Sequence, residues 1–329
     1  MPAPRLVLLT TSSRVVPGLL TLAAWDALRL GPVLTADPAS ATAAAVLAEG
    51  IAVRVVDDVA DAVTLARAEG RAVWLVESGT ADPEPGVSAE LADGVEVEVL
   101  VGSRDLPGAR LLDAVAVMDR LRSPGGCPWD AEQSHTSLAP YLLEEAYEAY
   151  QAIEDGQIAD DLREELGDVL LQVLFHARLA QESNDAGWDV DDVAGDLVDK
   201  LVRRHPHVFG TVTAVDSGAV EANWDAIKKA EKRRSSITEG VPLGQPALSL
   251  AAKLIGRAQK AGLPTTLDDP AAGADEAELL GRALFGLVAR ARANAVDPEA
   301  ALRGVARGYA GQLRAVEGAD SDGLRRPGR

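Results

Sequence analysis

Two stretches of this 329-residue chain place carboxylates at helical spacing. The first reads Leu142-Leu143-Glu144-Glu145-Ala146-Tyr147-Glu148, within an apolar pattern at positions 139, 142, 143, 146, 147, 150 and 153. At helical periodicity Glu144, Glu145 and Glu148 gather on the face opposite that apolar stripe, which taken alone describes a solvated face. The second stretch is apolar over most of its circumference, through Leu162, Leu166, Val169, Leu170, Leu171, Val173, Leu174 and Phe175. A helix of that kind is expected to be buried on most sides. Yet Asp161, Glu165, Asp168, Gln172 and His176 form one narrow polar stripe along it. Carboxylates hemmed in by apolar surface are costly unless they are paired or hold a metal. Pairing is scarce here, because the segment from Glu144 to Asp168 carries ten acids and only Arg163.

Hard divalent cations are the obvious compensation. Mg2+ takes oxygen ligands and keeps positions for water and phosphate oxygens, with Mn2+ as its substitute. Glu145 and Glu148 on one helix facing Glu165 and Asp168 on the next would hold one or two ions. A di-iron carboxylate bundle needs Glu-x-x-His pairs. Neither helix has one, and the Glu132/His135 pair stands alone in the preceding turn. Residues 200–234 then hold eight Lys or Arg against four acids, a local basic stretch suited to polyphosphate. The whole chain is acidic, with 32 basic and 51 acidic residues for a formal charge of −19. That balance argues against nucleic-acid polymers and anionic membranes as partners. No run approaches a membrane span, and the single cysteine, Cys127, excludes an intrachain disulfide framework and fits a reducing cytoplasm.

The elements that must position these groups follow from periodicity. Residues 1–104 alternate strands (Arg5–Leu9, Ala52–Val56, Ala72–Val76, Val95–Val101) with helices (Leu19–Leu28, Ser40–Ala48, Asp58–Ala68), an α/β pattern with a mostly parallel sheet. Helices are expected next over Ala109–Leu121, Leu138–Glu154, Ala159–Ser183, Asp189–Arg204 and Val220–Arg234, with Asp160 and Asp189 or Asp191 as caps. A second Ala-rich helical block covers Ala247–Ala261, Glu276–Ala293 and Pro298–Val316, and disorder is expected from Gly318 onward. The class is mainly α, with an N-terminal α/β domain.

Five blocks in order carry a family resemblance: Gly126-Cys127-Pro128-Trp129-Asp130, Glu144-Glu145-x-x-Glu148, Glu165-x-x-Asp168, Arg203-Arg204-His205-Pro206-His207-Val208-Phe209-Gly210 and Asn223-Trp224-Asp225-x-x-Lys228. Together they resemble the MazG-type nucleoside triphosphate pyrophosphohydrolases. The resemblance implies an all-α, magnesium-dependent homodimer that splits a nucleoside triphosphate into monophosphate and pyrophosphate. Position by position, Glu145, Glu148, Glu165 and Asp168 match the metal ligands, and Glu144 and Glu164 are auxiliary acids on the substrate side. Lys200, Arg203, Arg204 and Lys228 match cationic positions near the triphosphate, and Trp224 one near the base. Glu148 and Glu165 are the candidates for orienting or deprotonating the attacking water. His205, His207, Trp129 and Asp130 are assigned structural roles.

The resemblance sets the catalytic unit at 105–237. It makes 238–318 a degenerate second unit, in which Leu279 and Arg282 stand where Glu165 and Asp168 stand in the first, and leaves 319–329 as a tail. Residues 1–104 weakly resemble a truncated tetrapyrrole-methylase-like domain, with Thr10-Thr11-Ser12-Ser13 where a glycine-rich cofactor turn is expected. Two other function classes compete. A nucleotide-sensing regulatory protein without turnover need not keep the full acid set, and a methyltransferase needs the missing glycine turn.

Overall fold

The computed structural model describes the chain except residues 1–2, 79–93, 184, 186, 212–215, 217, 219, 221–222, 225–226, 228–234, 271–272 and 324–329. By its internal contacts it divides into two compact units, Met1–Val198 and Asp199–Arg329.

The first unit opens with a parallel sheet of β1 (Arg5–Ser12), β2 (Val33–Thr35), β3 (Val53–Val55), β4 (Arg71–Ser78) and β5 (Glu96–Val101), in the order β3-β2-β4-β1-β5. The period of two sends alternate side chains to opposite faces. Val7, Leu9, Val33, Val73 and Leu75 pack beneath α1 (Leu22–Arg29) and α2 (Ala41–Ala48). Leu6, Leu8, Leu34 and Ala72 pack beneath α3 (Val59–Glu69). Both faces are covered, as a parallel sheet requires. The hydroxyl of Thr21, the hydroxyl of Ser40 and the carboxylate of Asp58 cap the three helices. The structure adds β2 to the expected strands; three residues are too few for alternation to show. It also extends β1 through Thr10, Thr11 and Ser12, which are buried strand residues and not a loop.

The sheet is followed by α4 (Arg110–Arg122), α5 (Pro128–Glu132), α6 (His135–Glu154), α7 (Asp161–Ala180) and α8 (Val190–Arg204), the last running into the second unit. Met118 of α4, Leu138 of α6 and Leu174 and Phe175 of α7 form their shared core, with Val190 against it. Helix α6 starts three residues before the expected Leu138, because Ser134 and Ser137 form a reciprocal capping box. Asp160 does not cap α7; its carboxylate instead takes a hydrogen bond from Arg163. Asp189 does cap α8, accepting from the N–H groups of Asp191 and Asp192. Between α4 and α5 the chain folds back so tightly that a Cβ on Gly126 would lie 2.1 Å from the Leu121 carbonyl oxygen. Only glycine fits there, and the Cys127 N–H closes the turn on that same oxygen at 2.7 Å.

In the second unit α9 (Pro206–Phe209) follows α8, then come α10 (Ala247–Lys260), α11 (Glu276–Ala293) and α12 (Pro298–Gly323). Ala252 and Ile255 of α10 and Val288 of α11 form its core. Arg282 on α11 is held by Glu278 on its own helix and donates to the Asp268 carbonyl. Helix α12 continues to Gly323, past the Gly318 at which disorder was expected to begin.

Candidate metal centre

Helices α6 and α7 pack antiparallel, with His135 against His176 at one end and Glu148 near Glu165 toward the other. Their packing reverses the expected sense of α6. The residues it buries are Leu138, Ala149 and Ala152, one helical face that also contains Glu145 and Glu148. The apolar stripe faces outward: Leu143 is 60% exposed, Tyr147 49% and Ile153 53%. The carboxylates that looked like a solvated face are turned toward α7. Helix α7, expected to be buried on most sides, likewise leaves Leu166, Leu171 and Val173 exposed among the described residues.

Ligand oxygens of Glu145, Glu148 and Glu165 lie within 4.8 Å of one another. Asp168, one turn beyond Glu165, is near enough to act on both Glu145 and Glu165. Burial pushes the Glu145 carboxyl above its ordinary range, and the charges of Asp168, Glu148, Glu144 and Glu165 push it further. Glu165 is raised in the same way, by burial first and then by Glu148, Asp168, Glu164 and Asp161. Both groups are raised by burial and by other acids, with no cation among the causes. Like charges held this closely favour protonation or a bound cation. The donor set is all carboxylate oxygen, which fits a hard divalent ion. Glu144 and Glu164 flank the cluster and contribute to its negative potential.

At the other end of the helix pair, the polar stripe of α7 runs into Gln172 and His176. The Nδ1 atoms of His135 and His176 lie 2.7 Å apart, with Trp188 stacked on His135. Burial, and secondarily His135, lowers the His176 imidazole below its usual range. Gln172 is buried, and among the described residues its Oε1 and the Nε2 of His176 have no hydrogen-bond partner. Trp129 makes edge contacts with Tyr141 and Phe175, and Asp130 is buried, so the Gly126–Asp130 block fixes this end of the helices. The His135–His176 pair spans 41 positions, and sequence reasoning missed it; the lone polar signal was His176 at the end of the stripe. A cavity of about 470 Å³ lined by Met118, Leu174, Arg178 and Val190 lies on the opposite face of α7 from the carboxylates.

The basic candidates belong to the second unit. Lys200 and Arg204 are half-buried and Arg203 is exposed, all in the last turns of α8. The Arg204 guanidinium carbon sits 5.2 Å from the centre of the Trp224 ring, and His205 meets the same indole at 4.9 Å. The His205 Nδ1–H donates to the Leu201 carbonyl oxygen at 2.7 Å. Lys228 lies outside the described residues.

The family model of the MazG nucleotide pyrophosphohydrolase domain matches residues 133–209, a span that includes Glu144, Glu145, Glu148, Glu164, Glu165 and Asp168 together with Lys200, Arg203 and Arg204. A Streptomyces cacaoi protein, described as an uncharacterized 26.1 kDa protein in the blaB 3′ region, is 51% identical over 73% of this chain and 99% of its own length. A Thermotoga maritima protein named nucleoside triphosphate pyrophosphohydrolase/pyrophosphatase MazG is 40% identical over 64% of this chain and 88% of its own. A nucleoside triphosphate pyrophosphohydrolase of Mycobacterium tuberculosis is 49% identical over 57% of this chain, which spans 56% of that relative.

Proposed function

The chain belongs to the MazG nucleotide pyrophosphohydrolase family, and on that premise we propose that it hydrolyses nucleoside triphosphates, canonical or damaged, to monophosphate and pyrophosphate. The observation that carries this reading is the mutual approach of Glu145, Glu148 and Glu165 beside Asp168, an all-oxygen donor set suited to a hard divalent cation. These four residues would hold magnesium, or manganese in its place, which when bound neutralises phosphate charge and favours ionisation of water. Water attacks the α-phosphorus, the bond to the bridging oxygen breaks, and pyrophosphate departs with both electrons of that bond. A carboxylate oxygen of Glu148 or Glu165 takes the proton the water loses. Glu144 and Glu164 keep the surrounding carboxylates oriented, while Lys200, Arg203, Arg204 and Lys228 oppose charge developing on the leaving group. Trp224 stands beside Arg204. No nucleophilic serine or cysteine is required.

The division of labour we propose is 105–237 as the catalytic helical unit, 238–318 as a degenerate partner without ligands at Leu279 and Arg282, and 1–104 as a scaffold. A cytoplasmic nucleotide-pool enzyme is the setting this chemistry suits. A panel of ribo-, deoxyribo- and oxidised triphosphates with Mg2+ is expected to yield monophosphate and pyrophosphate in equal amounts. Tight nucleotide binding with no pyrophosphate release would sink the enzymatic reading in favour of a sensor.

A homodimer accounts for the outward stripe of α6. Leu143, Tyr147 and Ile153, joined by Leu166 of α7, form an apolar surface beside the acids, and a second copy is the occupant we propose for it. Light scattering is expected to give twice the chain mass, falling to the chain mass in Leu143→Asp. A wild-type chain that scatters as a monomer at micromolar concentration overturns the dimer.

A further inference from the structure

Trp224 already has an occupant. The Arg204 guanidinium carbon lies 5.2 Å from its ring centre, within the range of a cation–π contact. His205 approaches the same indole with its centroid at 4.9 Å and its plane inclined by 63°. That imidazole is itself pinned: its Nδ1–H donates to the Leu201 carbonyl oxygen one turn back in α8, and His207 packs against it at 5.5 Å. The consequence shows in exposure, since Arg204 is half-buried while its neighbour Arg203 is exposed.

We propose that Trp224 is a positioning residue for Arg204, its indole holding the guanidinium in place as a polyphosphate donor instead of offering its face to the base. A guanidinium held over an indole is restrained through its π contact, and its planar fork of donors matches phosphate oxygens two at a time. Lysine in the same place would lose both the stack and the fork. His205 meets the same indole and is itself tied to the end of α8 through Leu201. The ligand chemistry is therefore the triphosphate chain, common to all nucleotides, and the inference rests on the nucleotide-hydrolase reading given above.

The test is calorimetric binding of inorganic tripolyphosphate in Mg2+ to the full chain and to Trp224→Leu, Trp224→Phe, Arg204→Lys and the Leu/Lys double variant. Trp224→Leu is expected to weaken binding about tenfold and Trp224→Phe, which keeps an aromatic face, to stay within about threefold of wild type. Arg204→Lys should match Trp224→Leu, and the double variant should be no weaker than either, because the two residues act as one unit. The kcat/KM values for ATP and CTP should fall by the same factor. Losses that multiply in the double variant, unchanged tripolyphosphate binding in Trp224→Leu, or a purine-to-pyrimidine preference that shifts more than threefold each overturn the assignment. Should Trp224→Leu fail to fold, Trp224→Phe within about threefold of wild type beside Arg204→Lys about tenfold weaker supports the assignment, and a Phe/Lys double variant clearly weaker than Arg204→Lys alone overturns it. A wild-type chain that binds tripolyphosphate with this coupling but releases no pyrophosphate from triphosphates defeats the hydrolase reading and leaves the Arg204–Trp224 assignment standing.

Discussion

Glu165→Gln is expected to lower pyrophosphate release by about 100-fold or more while making the metal-free protein melt at a higher temperature. The two effects have one cause. Glu165 sits with Glu145 and Glu148 in a cluster whose ligand oxygens lie within 4.8 Å, and burial plus neighbouring acids raise the Glu145 and Glu165 carboxyls. A carboxyl raised by folding binds its proton more tightly in the folded chain than in the unfolded one. Its stabilising contribution is complete at low pH and is lost as pH rises through the raised folded value. In EDTA, wild type should therefore melt higher at pH 5 than at pH 7, and Mg2+ at pH 7 should restore what ionisation removes. The amide in Glu165→Gln carries no charge to repel, so the variant should show a smaller pH dependence and a smaller response to Mg2+. Scanning calorimetry with and without Mg2+, alongside a pyrophosphate assay, checks both halves. Activity within threefold of wild type would remove Glu165 from the metal centre.

Arg14→Met should separate the sheet from the helices that follow it. The Arg14 side chain is only 3% exposed and reaches Asp105 at 2.5 Å and Asp113 of α4 through two contacts of 2.8 and 2.5 Å. Ser12 at the end of β1 also donates to Asp105. One cation thus ties the end of β1 to the segment after β5 and to the helix whose Met118 packs against Leu174 and Phe175. Removing it leaves Asp105 to the Ser12 hydroxyl and Asp113 to the more exposed Arg110, and stripping one partner from a buried pair is more damaging than never having built it. Hydrogen bonds from Ser12 and then Arg14 hold Asp105 below the usual carboxylate range, and those from Arg14 do the same for Asp113. Groups lowered in this way stabilise the fold above their unfolded values and cease to do so as pH falls through the lower folded ones. The melting temperature of Arg14→Met should fall by several degrees at pH 7, and the gap from wild type should narrow toward pH 3. A gap that stays constant across that range would assign the loss to packing and not to the ion pairs.

The sequence disclosed the carboxylates, their spacing and the two helices that carry them, because periodicity survives in any single chain. It did not disclose which face of α6 points inward. The rule that apolar stripes turn inward assumes that the helix finds its apolar partner within its own unit. Here Glu145 and Glu148 take the inner face with Ala149 and Ala152, and Leu143, Tyr147 and Ile153 are left outside. Small alanines allow α7 to approach closely enough for the acids to converge. The His135–His176 pair and the Arg14–Asp105–Asp113 clasp escaped for a different reason, since side chains 41 to 99 positions apart meet only once the topology is known. The first strand shows the converse: expected to end at Leu9, it keeps Thr10, Thr11 and Ser12 in the hydrogen-bonded register of a central strand.

The place of β1 in the sheet also dictates a timetable. It pairs with β4 on one side and β5 on the other, with Arg5 opposite both Arg71 and Glu96. The Leu6–Leu9 run is therefore made long before either neighbour exists, and it stays an unpaired apolar edge until about residue 101 has left the ribosome. Closing a loop of that length is slow, and an open edge of this composition attracts other chains. Helices α6 and α7, joined by a short turn, can form within moments of synthesis. The sheet is therefore expected to stay open to other chains for longer during synthesis than the helix pair does.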